Sequence, residues 1–385
     1  MPPSAVGPHG PRGGSPGTPT SRSFRDPHLH ALILAGGIGS RFWPASTPDR
    51  PKQLLALAST RPLIRDTVDR ALGLVPEHRL HLLAGSHLSA PLAAALQEDG
   101  GSSEVPPSFW VEPRARGTGP VLTWAAHRIA GDDPDGVMIS LHSDHFIESE
   151  AAFRAAVERA VEVARRDDLL LTVAIPPDRP ETGYGYLRPG DSIPGATGTP
   201  AAWRVGSFVE KPDYETAQAY VERGYFWNSG IFVWRVQRFL AEVRLHAPEI
   251  AEHLPLLDEG QDERFFERVA HISVDEAVLE RSGRVAAVEA GFRWDDVGTW
   301  DALARTRRGD GGGNVVEGRG SVVAGRGNVV WAEEGSVVLF GVDNLVVVRS
   351  GGVTLVTHRD RAGELKTLLQ ALPPGLRNPS RRDGE

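Results

Sequence analysis

The stretch "LILAGGIGSRFWPASTPDRPKQLLAL", from Leu32 to Leu57, leaves an apolar run for glycines and then delivers two spaced cations, Arg41 and Lys52. Glycines directly after a strand let backbone N–H groups come close to a phosphate that side chains would hold off. The run Leu34, Ala35, Gly36, Gly37, Gly39 and Ser40 therefore reads as a phosphate cradle. Arg41 could fork onto terminal phosphate oxygens, and Lys52 could place a point charge on an internal one. Pro48 and Pro51 limit backbone freedom and would hold that lysine in place. Neither common phosphate loop has this spacing: no Lys-Ser or Lys-Thr follows the glycines, and Gly39 is followed by Ser40, Arg41 and Phe42. For the glycines alone, a tight turn with two solvated cations is the competing reading.

Carboxylates come next. "MISLHSDHFI" is an apolar strand that ends in Asp144, a natural place for Mg2+, which prefers oxygen ligands. His142 and His145 are expected to flank it on the opposite strand face, and the two imidazoles with the aspartate leave zinc as an alternative. "FRWDDVGTW" supplies Asp295 and Asp296 before Gly298, a pair that by itself reads as a turn. "SFVEKP" sets Glu210 beside Lys211 at a strand end, where alternation sends them to different faces. No Ser/His/Asp or Cys/His arrangement is evident.

The elements that must position these residues alternate. Strand candidates "HALILAG", "RLHLLAG", "SFWVEP", "GVMISLH", "LLLTVAI" and "SGIFVWR" are interleaved with helical stretches such as "TGPVLTWAAHRIAG" and "SEAAFRAAVERAVEVARR". Near-continuous apolar strands with intervening helices predict an α/β fold with a Rossmann-like, mainly parallel sheet covered on both faces. Ligands of such sheets sit beyond the carboxyl ends of the strands, where the glycine loop begins. After "RTRRGDGGG" the texture becomes short valine-rich strands between Gly, Asn and Asp turns, a small all-β module with a short β-helix among its candidates. The expected organisation is a disordered tail over 1–27, a catalytic domain over 28–308, a C-terminal β module with a helix over 309–373, and a frayed end over 374–385.

Composition narrows the partners. The 385 residues are 40% hydrophobic with a formal net charge of −8, and nothing in that balance favours a general binder of nucleic acid or of membrane surfaces. There is no cysteine, so disulfides, thiolate metal sites and a cysteine nucleophile are excluded. No run of about 18 apolar residues marks a membrane span, and no apolar leader marks a secretory signal, so a cytoplasmic location is expected.

The opening stretch resembles the signature of the sugar-nucleotide nucleotidyltransferases, and within them the bacterial mannose-1-phosphate guanylyltransferase branch, in its G-x-G-x-R-x-W-P…P-K-Q form. The resemblance runs from about residue 28 to 372 through several ordered motifs. It implies that Asp144 holds Mg2+ and that Asp296, in W-x-D-x-G, is the second metal ligand. It also implies that Glu210 and Asn228 accept or donate to sugar hydroxyls, and that Lys211 meets the sugar phosphate. "TGYGYL" would lay Gly183, Tyr184 and Gly185 against the sugar ring, while Gly117 and Thr118 line the base pocket. Two departures stand out. His142 replaces a small residue or proline, and Arg116-Gly117-Thr118-Gly119-Pro120 replaces R-N-T-A-P, where two glycines are expected to loosen the loop. The implied reaction joins GTP and mannose 1-phosphate, with Arg41, Lys52 and Lys211 stabilising phosphate charge. The family is thought to pair as homodimers through the C-terminal module. The alternatives are another sugar 1-phosphate or base, and a non-catalytic relative that binds sugar nucleotides.

Overall fold

A computed structural model describes residues 26–37, 39–97 and 108–377, so the expected N-terminal tail lies outside the described residues up to position 25. Among the described residues, eleven strands precede the C-terminal module: β1 (Leu29–Leu34), β2 (Leu80–Gly85), β3 (Ser108–Glu112), β4 (Val137–His142), β5 (Phe146–Ile147), β6 (Leu170–Ile175), β7 (Gly185–Ser192), β8 (Ala202–Glu210), β9 (Phe226–Arg235), β10 (Val285–Glu289) and β11 (Trp294–Asp295). Nine of them form one sheet in the order β3-β2-β1-β4-β9-β6-β10-β8-β7. β1 pairs in parallel with β2 and β4, β2 with β3, and β6 with β10, whereas β8 and β9 run against their neighbours. The sheet is thus the parallel-dominated α/β arrangement expected from the apolar strands.

Burial on both faces follows from strand periodicity. Ile33 and Leu82 face one core with Ile139 and Phe153, while their neighbours Leu32 and Leu83 face the other with Met138, Trp124 and Phe239. Helices Glu150–Asp167 and Thr118–Asp132 cover the two sides, the first capped by Ser149, whose side chain accepts from the Ala152 N–H. Among the described residues, no helix is long and apolar enough to cross a membrane.

The C-terminal module contains β12 (Val315–Val323), β13 (Val329–Phe340), β14 (Leu345–Ser350) and β15 (Val353–His358). β12, β13 and β14 pair in parallel and β15 closes the sheet antiparallel. Parallel neighbours joined by such short turns are the coils of a small solenoid. Asparagines stack at its corner: Asn314 Oδ1 accepts from the Asn328 backbone N–H and side-chain amide, and Asn328 Oδ1 accepts from the Leu345 N–H. Each of these asparagines sits in a "GNVV" run, at 313–316 and 327–330, that leads into β12 or β13. One side of the module shares a core with Phe42, Trp43, Leu55 and Trp300 through Val315, Val329, Val346 and Leu365. The module therefore buttresses the segment that follows the glycine loop. Pro374–Arg377, within the expected frayed end, forms a helical turn whose Arg377 carbonyl accepts from the Trp43 indole at 3.1 Å.

Candidate active site

The carboxyl ends of β1, β3 and β4 open onto one cavity of about 300 Å³, lined by Leu34, Gly36, Gly37, Gly117, Thr118, His142 and Asp144 among others. The structure thus joins the glycine loop, the 116–120 loop and the β4 aspartate. Ala35 is held by its N–H to Leu83 O, and its carbonyl accepts from the Gln53 side chain. Gly39 has φ +70°, and a Cβ there would stand 2.3 Å from Lys52 Cβ, so this glycine lets the lysine stem pass behind the loop. Ser40 and Arg41 follow on a short 3-10 turn, and Arg41 has no hydrogen-bond or ion-pair partner among the described residues.

The 116–120 loop is not loose. Gly117, at φ +84°, packs its Cα against Ile272, where a Cβ would meet Ile272 O at 2.5 Å. Gly119 N–H donates to Ile272 O, Ile272 N–H donates to Arg116 O, and Thr118 Oγ1 accepts from Val274 N–H at 2.9 Å. The guanidinium of Arg116 adds bonds to the carbonyls of Phe266 and Glu267. The glycines give close approach rather than slack, because a distant segment ties down the backbone they expose. Glu112 and His271 also line the cavity, and neither stood out in the sequence. Burial pushes the Glu112 carboxyl above its ordinary value, against a backbone bond from Arg116 and the nearby His271.

Lys52 sits at the centre. Its Nζ donates to the carbonyls of Asp296 and Val297, both at 2.8 Å, and pairs with Asp144 Oδ2 at 2.9 Å. All three ammonium N–H groups therefore have protein partners, which sequence spacing alone did not suggest. Burial raises the Asp144 carboxyl, and the Lys52 cation with the two adjacent histidines outweighs this to leave it below the usual carboxylate range. Asp296 Oδ1 accepts from the Tyr184 hydroxyl at 2.7 Å and from the Gly298 N–H at 3.0 Å. Burial and the Asp295 and Asp296 charges hold the Tyr184 phenol well above its ordinary value, so it remains a donor. Asp144 and Asp296 each keep one carboxylate oxygen without a partner among the described residues, hard donors of the kind Mg2+ takes. Asp295 points elsewhere: it is buried, bonded to Arg305 at 2.6 Å and to the Val297 N–H.

The histidines differ from expectation. They do not stand apart from Asp144, because β4 ends at His142 and the turn at Ser143–Asp144 breaks the alternation. Their rings stack at 4.6 Å, and one donor atom from each of His142, Asp144 and His145 lies within 4.8 Å of the others.

At the far end, Gly185 pairs with Glu210 across β7 and β8, and a Cβ on Gly185 would meet Glu210 Oε2 at 2.5 Å. Glu210 and Lys211 do not diverge. Lys211 has φ +46°, which turns its side chain back onto Glu210 Oε1 at 2.5 Å while its N–H donates to Tyr184 O. Asn228 is engaged at both ends, its Oδ1 accepting from Thr172 and its Nδ2 donating to Asp275. Asp275, raised to about 7 by burial and by Glu210, was missed in the sequence, where "VDEAVLE" reads as an ordinary helix start. Gly183 N–H donates to Glu181 at 3.1 Å, in the loop that carries Tyr184.

A family model for nucleotidyl transferases matches residues 30–310. A mannose-1-phosphate guanylyltransferase of Salmonella typhimurium is 35% identical over 361 residues, covering 91% of this chain and 74% of its own length. One from Escherichia coli K12 is 34% identical over 365 residues, covering 92% and 75%. A Thermus thermophilus structure described as a mannose-1-phosphate geranyltransferase superposes with a TM-score of 0.81 at 33% identity, over 89% of this chain and 99% of that one.

Proposed function

The chain belongs to the nucleotidyl transferase family, and from that premise we propose that it forms GDP-mannose and pyrophosphate from GTP and mannose 1-phosphate. One observation carries the reading. The cavity bearing the glycine loop is linked to the loop bearing Tyr184 and Gly185 through a continuous chain of contacts, Asp144–Lys52–Asp296–Tyr184. Two substrate-binding loops thus meet at a pair of carboxylates.

In this reading a nonbridging oxygen of mannose 1-phosphate attacks the α-phosphorus of GTP. A new P–O bond forms, the bond to the β-phosphate bridging oxygen breaks, and the electron pair leaves with pyrophosphate. The nucleophile is already anionic, so no side chain need remove a proton. The task is to bring two polyanions together in line and to stabilise charge on the leaving group. The backbone of Leu34 to Ser40 cradles the nucleotide phosphates, with Gly117 and Thr118 beside the base. Arg41 reaches the outer phosphates, and Lys52 supplies positive charge beside the α-phosphate while holding the Asp296 turn. Lys211 meets the sugar phosphate, with Glu210, Asn228 and the Gly183–Gly185 loop around the sugar. Mg2+, held by Asp144 and Asp296, would neutralise phosphate oxygens and assist the departure of pyrophosphate.

We further propose a cytoplasmic homodimer. Val338 and Phe340, two apart on β13, and Val323, paired with Phe340, are exposed on one face of the C-terminal module, which a second copy would cover. Sedimentation showing a monomer at micromolar concentration would rule the dimer out.

A pyrophosphate-release screen across the four nucleoside triphosphates and a panel of sugar 1-phosphates tests the activity. The greatest rate is expected with GTP and mannose 1-phosphate. Failure with every pair, or a clear preference for another, would overturn the assignment.

A further inference from the structure

His142 is a polar group that the reaction described above leaves without a task. It ends β4, and its ring lies over Gly230 of β9, where a Cβ would stand 2.8 Å from Nε2. Its other side stacks on His145, with ring centroids 4.6 Å apart and planes 27° from parallel. Neither nitrogen has a hydrogen-bond partner among the described residues. The ring is nevertheless held firmly, between a glycine and a second imidazole, with a donor atom within 4.8 Å of an Asp144 carboxylate oxygen.

The two imidazoles are not equivalent. The Trp294 indole N–H donates to His145 Nδ1 at 3.2 Å. That bond engages one lone pair of His145 and, in the neutral ring, places the proton on Nε2, so neither nitrogen is left to bind an ion. His145 instead acts as a backing plate for His142, whose own lone pair is uncommitted. We propose that His142 is a nitrogen ligand of the divalent ion that Asp144 holds, so that Mn2+ or Co2+ binds more tightly at the place assigned above to Mg2+. The inference rests on the reading that Asp144 binds a metal. Mg2+ demands oxygen ligands in a near-ideal octahedron, whereas imidazole suits the transition ions, with affinity rising from Mn2+ to Co2+.

The test is electron spin-echo envelope modulation on Mn2+ added to the full-length chain, with Mn2+ and Mg2+ affinities from competitive EPR titration. Nitrogen modulation is expected from the bound ion, changing to the 15N pattern when the chain is produced with 15N-histidine. That comparison uses the wild-type chain and does not depend on a variant folding. His142→Ala should abolish the modulation and weaken Mn2+ on the order of tenfold or more, with a smaller effect on Mg2+. Bound Mn2+ without nitrogen modulation, in a chain whose Mn2+ binding is lost in Asp144→Ala, would overturn the inference and leave the metal reading intact. Modulation that persists in His142→Ala would also overturn it, by assigning the nitrogen to another residue. Mn2+ binding unaffected by Asp144→Ala would remove the metal reading and this inference with it.

Discussion

Lys52→Met separates two jobs that a lysine in this position could have. Methionine keeps the aliphatic stem that packs behind Gly39 and removes only the ammonium. That ammonium satisfies the Asp296 and Val297 carbonyls at 2.8 Å each and pairs with Asp144 at 2.9 Å. Breaking a buried ion pair from one side costs about 3–5 kcal/mol. A carbonyl left unsatisfied costs about 1–3 kcal/mol where water cannot replace the donor. The Asp144 side chain is 27% exposed, so water recovers part of both terms, and a net loss of roughly 3–5 kcal/mol is expected. Urea unfolding without nucleotide, fitted by linear extrapolation, reads this directly. Adding Asp144→Asn should recover roughly 1–2 kcal/mol, because the orphaned charge is then gone. Were Lys52 only a phosphate ligand, the unliganded variant would stay within about 0.5 kcal/mol of wild type, as exposed substitutions do. That outcome would refute the structural role argued for this residue.

Gly185→Ala places a Cβ 2.5 Å from Glu210 Oε2 and 2.9 Å from the Phe208 ring, so Glu210 must move. Catalytic efficiency for the sugar phosphate should fall on the order of a hundredfold, the cost of about 1 Å of misplacement, with little change in the KM for nucleotide. Lys211→Ala should raise the KM for the sugar phosphate roughly ten- to a hundredfold, from about 1.5–3 kcal/mol of charge-assisted contact, and more than that for nucleotide. The reverse ratio would show that the lysines have exchanged roles. The chain should also lose stability in mild acid through His81, which burial, helped by neighbouring His30, pulls down from 6.5 to about 4. The folded ring stays neutral while the unfolded one takes up a proton below pH 6.5, so stability is intact above 6.5 and declines towards pH 4 by up to about 1.4 kcal/mol per pH unit. His81→Phe, which retains the stack on Trp110, should flatten that slope in urea titrations across the window; an unchanged slope would rule out this origin.

Much of the architecture was legible because the strands that carry the glycine loop and Asp144 are apolar on both faces. The β1 run "LHALIL" and the β4 run "VMISLH" can only be central strands, and the loops at their carboxyl ends hold the cavity. β7, "GYLRPGDS", was not legible: glycine, proline and acidic residues hide its strand character, and its last five positions are exposed. β8 was read only at its end, in "SFVEKP", because its first half exposes Arg204 and Gly206, and β10 escaped because it is only five residues long. Within the site, the residue types were readable and the partners were not. That Lys52 reaches the carbonyls after Asp295 depends on a contact 244 residues away in sequence, and no local pattern encodes it. Alternation likewise failed at Glu210–Lys211 and at His142–Asp144, where a left-handed residue in one case and a turn in the other end the regular strand. The expected slackness of the Gly117 loop overlooked the segment from Phe266 to Val274, whose backbone groups hold it.

The central claim is that a sugar 1-phosphate oxygen attacks the α-phosphorus of the nucleotide. Incubating the protein with GTP, divalent ion and mannose 1-phosphate carrying 18O in its nonbridging oxygens, then following the mixture by 31P NMR, tests it directly. Isotope-shifted resonances are expected in the β-phosphate of GDP-mannose, one labelled oxygen bridging to the α-phosphorus, with pyrophosphate free of label. Label in pyrophosphate, or turnover that yields only GDP and orthophosphate, would contradict the account.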